Sequence, residues 1–158
     1  MGADFNDGVG PVESGLRPLV MLVEDDQAIT EVYRLGLEAA GFRVCVFADA
    51  SGLFQALDEE TPDIAVLDWH LGGIVTGLDI LENLRLDRRT ADVPVLMLSN
   101  HLGDLDGALD RALHAGAQEW LVKIDTTPAK LAASLREALA RAARSQSVAA
   151  KRPAQIGY

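Results

Sequence analysis

Charged side chains follow three apolar segments of the chain, each at the point where its segment stops. They are Asp68 after residues 64–67, the acids Glu24, Asp25 and Asp26 after residues 19–23, and Lys123 after residues 120–122. If the segments are parallel strands, these side chains meet at one edge of a sheet, where open α/β sheets place their ligand sites. Carboxylates crowded at such an edge repel one another unless protons or a cation intervene. The pattern therefore predicts a divalent metal site built around one reactive aspartate.

Strand and helix patterns alternate along the chain and would position this edge. The predicted strands span residues 19–23, 43–47, 63–67, 93–98 and 119–122, and the predicted helices span residues 27–40, a short stretch ending at 59, 78–86, 105–115 and 127–144. Nearly continuous apolar strands alternating with helices are typical of a parallel sheet that is covered on both faces. The sequence therefore predicts an α/β fold with a doubly wound, five-stranded parallel sheet.

Helix ends and helix faces follow from residue type and spacing. Asp26 is expected to cap the first helix and Asp49 or Ser51 the second, because short polar side chains accept hydrogen bonds from free amides. Gly41 is expected to stop the first helix, and Pro128 suits the first turn of the last one. The predicted buried faces are Ile29, Val32, Leu35 or Gly36, and Ala39 in the first helix, and Leu131, Leu135 and Leu139 in the last.

Size and composition favour one soluble domain. The chain has 158 residues, 49% of them hydrophobic, and no apolar run approaches the roughly 18 residues of a membrane helix. The chain does not open with a basic segment followed by an apolar one, so we expect no secretory signal and a cytoplasmic protein. Cys45 is the single cysteine, and its apolar neighbours favour a buried side chain. We expect one domain over residues 18–144, a disordered arm over 1–17 and a basic, disordered tail over 145–158.

The net charge of −10 is unevenly distributed. Residues 1–125 hold 23 acids and 8 bases, whereas residues 126–158 hold 1 acid and 6 bases. An acidic body repels phosphates, so direct DNA binding is not expected. The basic end is predicted to be a solvated helix face, although an acidic partner or nucleic acid could also contact it.

Four segments in order resemble the receiver domain of bacterial two-component response regulators, over about residues 18–143. They are Val23-Glu24-Asp25-Asp26, Leu67-Asp68, Met97-Leu98-Ser99 and Leu121-Val122-Lys123, and residues 112–117 resemble the family's exit from the fourth helix. One Leu-Asp pair has little weight, but four segments at the correct strand ends make a strong signal. The resemblance implies a flavodoxin-like (βα)5 fold with strand order 2-1-3-4-5.

The resemblance also implies the chemistry of the site. Asp68 would accept a phosphoryl group from a phosphohistidine on a sensor kinase or phosphotransfer protein, and Lys123 would contact that group. The implied ligands of Mg²⁺ (or Mn²⁺) are Glu24, Asp25, Asp68 and the backbone carbonyl of His70. Physical chemistry agrees, because a carboxylate can act as the nucleophile and phosphoryl transfer needs cations near the phosphoryl oxygens. Mg²⁺ prefers one or two carboxylates together with water and phosphate oxygens.

Two further side chains would form the switch of such a domain. Ser99 would donate a hydrogen bond to a phosphoryl oxygen that is absent beforehand, and such a differential contact can shift an equilibrium between two states. Trp120 would be the aromatic residue whose rotamer reports activation. Each site residue also has a simpler interpretation when it is considered alone. Trp120 could be a core residue, Ser99 a turn hydroxyl, Lys123 a solvated lysine at a strand end, and Asp68 a cap or loop residue.

The chain departs from the family pattern in two loops. The family usually has proline four residues after the phosphoacceptor and glycine eight residues after it, whereas here Gly72 and, nine residues after Asp68, Gly77 stand in those places. The loop is therefore longer and looser. The family's Lys-Pro pair, usually joined by a cis bond, is Lys123-Ile124 here. A cis bond before a residue other than proline costs about 2.5–4 kcal/mol, so a trans bond is predicted.

His70 and His101 lie two residues after Asp68 and two residues after Ser99. Those positions flank the phosphoryl site in the family and influence its hydrolysis. One hypothesis is that protonation of these imidazoles tunes the phosphoryl lifetime between about pH 6 and 8. The alternative is a pair of solvated loop histidines, and a zinc site lacks enough ligands.

The sequence is interpreted as a stand-alone receiver, not a classical enzyme, that signals through an effector protein or a phosphorelay. A segment of a longer regulator would show the same pattern, because residues 151–153 could begin a linker. The family often dimerises through its fourth helix, fifth strand and fifth helix, so a homodimer is one arrangement that the resemblance allows. No membrane association is expected.

Three other classes of protein share part of this pattern. A pseudo-receiver that is never phosphorylated would work as a constitutive interaction module, which the altered loop favours and the complete acidic set disfavours. A hydrolase of the haloacid dehalogenase type usually has a second aspartate where this chain has His70. A flavodoxin would need a phosphate-cradling loop after the first strand, where this chain has acids.

Overall fold

Strands and α-helices alternate along residues 17–101 and 105–151, the part of the chain that the computed structural model describes. The elements are β1 Leu19–Val23, α1 Gln27–Ala39, β2 Arg43–Phe47, α2 Ala50–Leu57, β3 Ile64–Asp68, α3 Gly77–Leu86, β4 Val95–Ser99, α4 Ala108–His114, β5 Glu119–Val122 and α5 Pro128–Lys151. A turn at Leu105–Gly107, in which Asp106 and Gly107 have left-handed backbone angles, precedes α4, and a one-turn 3-10 helix, Lys123–Asp125, precedes α5.

The strands form a parallel sheet in the order β2-β1-β3-β4-β5. The register pairs Val23 with Leu67 and Ser99 with Val122, so the carboxyl ends of these strands lie at one edge. Chain connections run outward in opposite directions from β1 and β3, and such a reversal opens a crevice at that edge. The predicted flavodoxin-like α/β fold and its strand order are confirmed.

Helices cover both faces of the sheet. The side chains of β1, β3 and β4 are all buried, whereas those of the outer strands β2 and β5 are largely half-buried. One core lies under α2, α3 and α4, and the other lies under α1 and α5. Alternate residues of each strand point to opposite faces, so every central strand contributes to both cores. Cys45 packs, partly buried, against the first of these cores.

The buried face of α1 differs from the predicted one. Val32 and Leu35 are 57% and 54% exposed, and Ala39 is exposed as well. The face that packs on the sheet contains Tyr33 and Leu37, with Ile29 partly buried beside them. The predicted stripe did not contain Tyr33, whose hydroxyl is hydrogen-bonded inside the protein, which makes its burial favourable.

Several element boundaries also differ from the predictions. The last residues of β3 and β4 are Asp68 and Ser99, each one residue later than expected. Helix α5 continues to Lys151, so residues 145–151 are helical rather than a disordered tail. The predicted arm at residues 1–16 and the end of the predicted tail at 152–158 lie outside the described residues. None of the helices within the described ranges has the length and apolarity required to cross a membrane.

Candidate functional site

Three strand ends bring one ammonium group into contact with two carboxylates. Glu24 follows β1 directly, Asp68 ends β3 and Lys123 follows β5. The Nζ of Lys123 lies 2.6 Å from Oε2 of Glu24 and 3.0 Å from Oδ2 of Asp68. The exposed fractions of these side chains are 7% for Lys123, 1% for Glu24 and 3% for Asp68. Because buried pairs are screened much less than surface pairs, these contacts dominate the electrostatics of the site.

Asp25 forms an acidic cluster with Glu24 and Asp68 and lies on the solvent side of it. One carboxylate oxygen from each of Glu24, Asp25 and Asp68 lies within 4.8 Å of the others. Asp25 is exposed, whereas Glu24 and Asp68 are buried. The next acid, Asp26, caps α1 as predicted, since its side chain accepts hydrogen bonds from two amides of the first turn. The structure thus separates the capping acid from the three that share the pocket.

Burial and the neighbouring charges shift the pKa values of Glu24 and Lys123. Burial raises the pKa of Glu24 from its ordinary 4.5 to about 7, because the opposing effect of Lys123 is smaller and the charge of Asp68 adds to the rise. Burial alone would lower the pKa of Lys123, but its contacts with Glu24 and Asp68 outweigh burial and raise that pKa above 10.5. Lys123 therefore stays charged near neutral pH, while Glu24 exchanges a proton there.

Two glycines, Gly72 in the loop after Asp68 and Gly77 at the start of α3, shape the connection between β3 and α3. A Cβ on Gly77 would lie 2.3 Å from the carbonyl oxygen of Asp68, so only glycine fits that close approach. Gly72 has a φ of +67°, and a Cβ there would lie 2.8 Å from Oδ2 of Asp25. Proline is fixed near a φ of about −65° and could not adopt this turn. The departure from the family's proline therefore places a tight left-handed turn against the acidic cluster.

Ser99 and Trp120 occupy the neighbouring strand ends. Ser99 is 1% exposed and its Oγ accepts a hydrogen bond from the amide of His101 at 3.1 Å. The half-buried ring of Trp120 lies against that of Trp69, with ring centroids 5.2 Å apart and planes tilted by 54°. The guanidinium of Arg111 in α4 lies 6.0 Å from the Trp69 ring. Trp69, which directly follows Asp68, was not singled out from the sequence, although its position beside the reactive aspartate was a signal.

The two predicted flanking histidines come together beside the site. His70 donates its amide to Oδ1 of Asp68 at 3.2 Å. The imidazoles of His70 and His101 are exposed, and their centroids lie 5.8 Å apart in an edge-to-face arrangement. Their influence on phosphoryl lifetime stays a prediction, as does the backbone carbonyl of His70 as a metal ligand.

The peptide bond that follows Lys123 is trans. The described residues contain no cis peptide bond, so the Lys123–Ile124 bond is trans, as predicted. Sequence reasoning missed the residues that surround this turn, Tyr33 and Thr126. The Tyr33 hydroxyl donates a hydrogen bond to the carbonyl of Thr126 at 2.9 Å across 93 residues of sequence, and local patterns carry no signal for such a distant contact.

The donor set of the acidic cluster suits a hard divalent cation. Mg²⁺ prefers carboxylate oxygens, and Glu24, Asp25 and Asp68 supply three of them within 4.8 Å. The ammonium of Lys123 contacts Glu24 and Asp68 and offsets one of the three negative charges that the cluster can carry. A divalent cation beside these carboxylates would offset the negative charge that remains. These residues therefore fit the predicted magnesium site.

Fold and site together define a doubly wound α/β domain with an acidic pocket at the carboxyl edge of its sheet. Comparison with protein families gives that class a name, because the model of the response regulator receiver domain matches residues 20–136. The chain belongs to the response regulator receiver family. A receiver domain is a phosphoacceptor signalling module of two-component systems.

Individual relatives agree with the family. The phosphate regulon transcriptional regulatory protein PhoB of Rhizobium meliloti is 34% identical over 124 residues, which are 77% of this chain and 53% of that protein. The transcriptional regulatory protein CseB of Streptomyces avermitilis is 38% identical over 104 residues, which are 66% of this chain and 42% of that protein. The chain spans about half the length of the curated relatives it matches.

A solved structure shows the same fold. The CheY-like response regulator receiver domain protein of Methanospirillum hungatei JF-1 matches with a TM-score of 0.73 and 22% identity. The match covers 82% of this chain and 99% of that protein. At this identity the likeness is one of fold.

Proposed function

We propose that Asp68 accepts a phosphoryl group from a phosphohistidine on a sensor histidine kinase or phosphotransfer protein, and that the phosphorylated domain then binds an effector protein or passes the group on in a relay. One observation carries the proposal. A single ammonium, that of Lys123, lies 2.6 Å from one buried carboxylate and 3.0 Å from the other, in a cluster whose third acid is exposed. The pocket thus contains a carboxylate that could act as the nucleophile, three carboxylates that could hold a cation, and one positive charge.

The proposed reaction exchanges one bond for another. An oxygen of the Asp68 carboxylate forms a bond to phosphorus while the phosphorus–nitrogen bond to the donor imidazole breaks, and the electron pair of that bond stays with the imidazole nitrogen. Lys123, now 3.0 Å from Asp68, would contact an oxygen of the transferred group and offset its charge. Bound Mg²⁺, held by Glu24, Asp25 and Asp68, would neutralise the remaining charge of the phosphoryl oxygens.

The proposed readout begins at Ser99. Its strand β4 pairs with β3 on one side and with β5 on the other, so the hydroxyl lies between the phosphoacceptor strand and the strand of Trp120. A hydrogen bond from Ser99 to a phosphoryl oxygen would exist only after phosphorylation, and a contact made in one state alone shifts the equilibrium toward that state. Trp120, packed on Trp69, is then the aromatic side chain whose environment would change.

Intact mass spectrometry tests the phosphoacceptor. The wild-type chain, incubated with acetyl phosphate and Mg²⁺, is expected to gain the mass of one phosphoryl group, and chelation of Mg²⁺ should abolish the gain. Asp68→Asn should show no gain. Asp63→Asn is the matched control, because this acid precedes the same strand at the opposite edge, where its Oδ2 accepts the amide of Leu19 at 2.7 Å. It should be phosphorylated like the wild type.

The same measurement separates the receiver from a pseudo-receiver. A folded wild-type chain that gains no mass with either acetyl phosphate or a phosphorylated histidine phosphotransfer protein would reject the phosphoacceptor and favour the constitutive interaction module. A gain that persists in Asp68→Asn would place the acceptor at another residue.

A further inference from the structure

Lys123 must hold its ammonium between two carboxylates although it stands at a weakly constrained place. Its strand, β5, is an outer strand of the sheet that pairs with β4 alone. The last pairing of that strand joins Ser99 to Val122, so Lys123 lies just beyond the ladder. A lysine side chain is a flexible four-carbon stem. Something outside the sheet must therefore fix the backbone from which this stem extends.

Thr126 provides that restraint on both sides of Lys123. The Thr126 hydroxyl donates to the carbonyl of Val122 at 2.7 Å, and the Thr126 amide donates to the carbonyl of Lys123 at 3.1 Å. These two carbonyls belong to the peptide units before and after the Lys123 Cα. One residue thus fixes both peptide planes that set the direction of the lysine side chain. Thr126 is 7% exposed, so water competes little for these bonds.

Tyr33 anchors Thr126 to the opposite helix. Its hydroxyl donates to the carbonyl of Thr126 at 2.9 Å, and the Tyr33 side chain is buried in the core beneath α1 and α5. Helix α1 approaches the start of α5 so closely that a Cβ on Gly36 would lie 2.3 Å from the Cβ of Pro128. This contact brings the tyrosine within reach of the turn. The turn is therefore tied to a helix that does not belong to its own βα unit.

We propose that Tyr33 and Thr126 are positioning residues for Lys123, forming a hydrogen-bonded clamp that aims the Lys123 ammonium at Glu24 and Asp68 where this chain has isoleucine in place of the family's proline. The functional part of this inference rests on the proposed phosphorylation of Asp68. The geometric part, that the clamp keeps Lys123 in the pocket, does not.

Two substitutions each remove one side-chain hydrogen bond of the clamp with little change of shape, and the bond from the Thr126 amide to the Lys123 carbonyl is kept in both. Thr126→Val deletes the hydroxyl that holds the Val122 carbonyl, and Tyr33→Phe deletes one oxygen. A displacement of about 1 Å at a reacting group can cost on the order of 100-fold in rate. We expect each variant to lower the rate constant of phosphorylation by acetyl phosphate at saturating donor by about 10-fold or more, with the half-saturating donor concentration little changed. Thr126→Ser, which keeps the hydroxyl, should be phosphorylated at a rate close to that of the wild type.

Chemical modification provides a readout that does not require phosphorylation. The chain has three lysines, Lys123, Lys130 and Lys151. The Lys123 side chain is 7% exposed, whereas Lys151 is exposed and serves as the internal reference. Peptide mass mapping after brief acylation should show slow modification of Lys123 in the wild type. In Thr126→Val and in Tyr33→Phe the ratio of Lys123 to Lys151 modification should rise several-fold.

Thr90→Val is the matched control. Thr90 is 1% exposed and its hydroxyl donates to the Leu84 carbonyl at 2.7 Å, the same kind of buried bond at the opposite edge of the sheet. The Thr90→Val variant should have a lower melting temperature than the wild type but the same phosphorylation rate and the same ratio of Lys123 to Lys151 acylation. Thr126→Val and Tyr33→Phe behaving like Thr90→Val would overturn the clamp. A wild type that is never phosphorylated would reject the proposed function, and the acylation ratio would still decide the clamp.

Discussion

Replacement of Lys123 by methionine is expected to cost the folded domain about 3–5 kcal/mol at about pH 8. Methionine keeps a side chain of similar length but lacks the ammonium, which lies 2.6 Å from Glu24 and 3.0 Å from Asp68. With 1% and 3% of their side chains exposed, the two carboxylates would be left as buried charges without the positive charge that now lies between them. Removing one member of a buried ion pair typically costs about 3–5 kcal/mol. That is a large share of the roughly 5–15 kcal/mol that stabilises a domain.

Urea unfolding followed by circular dichroism measures the loss. At about pH 5.5 the loss should shrink, because Glu24, with a pKa of about 7, then carries a proton in the folded state. Added Mg²⁺ should stabilise Lys123→Met more than it stabilises the wild type, because the cation would replace the missing positive charge.

An exposed ion pair provides the control for this experiment. Arg141 and Glu137 lie 2.6 Å apart with side chains 48% and 63% exposed. Arg141→Met should cost far less than Lys123→Met at about pH 8, because water and salt screen an exposed ion pair. If Lys123→Met costs no more than Arg141→Met at about pH 8, the reasoning from burial is refuted.

Two further predictions concern the pKa of Glu24 and the close approach of Gly77 to Asp68. Because burial raises the pKa of Glu24 from 4.5 to about 7, the folded state retains a proton that the unfolded chain has released between these values. The resulting stabilisation is complete below 4.5 and is lost as the pH rises through about 7, so Glu24→Gln should flatten that part of the curve of unfolding free energy against pH, by on the order of 1–3 kcal/mol. Gly77→Ala would place a Cβ 2.3 Å from the Asp68 carbonyl oxygen and should cost about 1–3 kcal/mol in urea unfolding. Gly73→Ala, whose Cβ would meet nothing within 4 Å, should stay within about 0.5 kcal/mol of the wild type, and equal losses for the two glycines would contradict the steric explanation.

The sheet was predictable because its signals are local. Apolar runs of five residues in β1 and four residues in β3, flanked by proline or charged residues, mark these strands, and both strands are buried along their whole length. The cap at Asp26 follows from short-range chemistry and was predicted correctly. The buried face of α1 was predicted wrongly, because the exposed Val32 and Leu35 were assigned to it and the buried Tyr33 was not. Burial of a tyrosine depends on a partner for its hydroxyl, and that partner is 93 residues away.

The amino-acid sequence by itself determined which residues stand at the strand ends, and therefore that Glu24, Asp68 and Lys123 would meet at one edge of a parallel sheet. Only the tertiary structure decided that the ammonium of Lys123 lies between both carboxylates, that Glu24 titrates near 7, and that Tyr33 and Thr126 hold the turn. The physical reason is range. Propensity and periodicity act over a few residues, whereas strand order, register and helix packing set the distances and the burial on which these electrostatic effects depend.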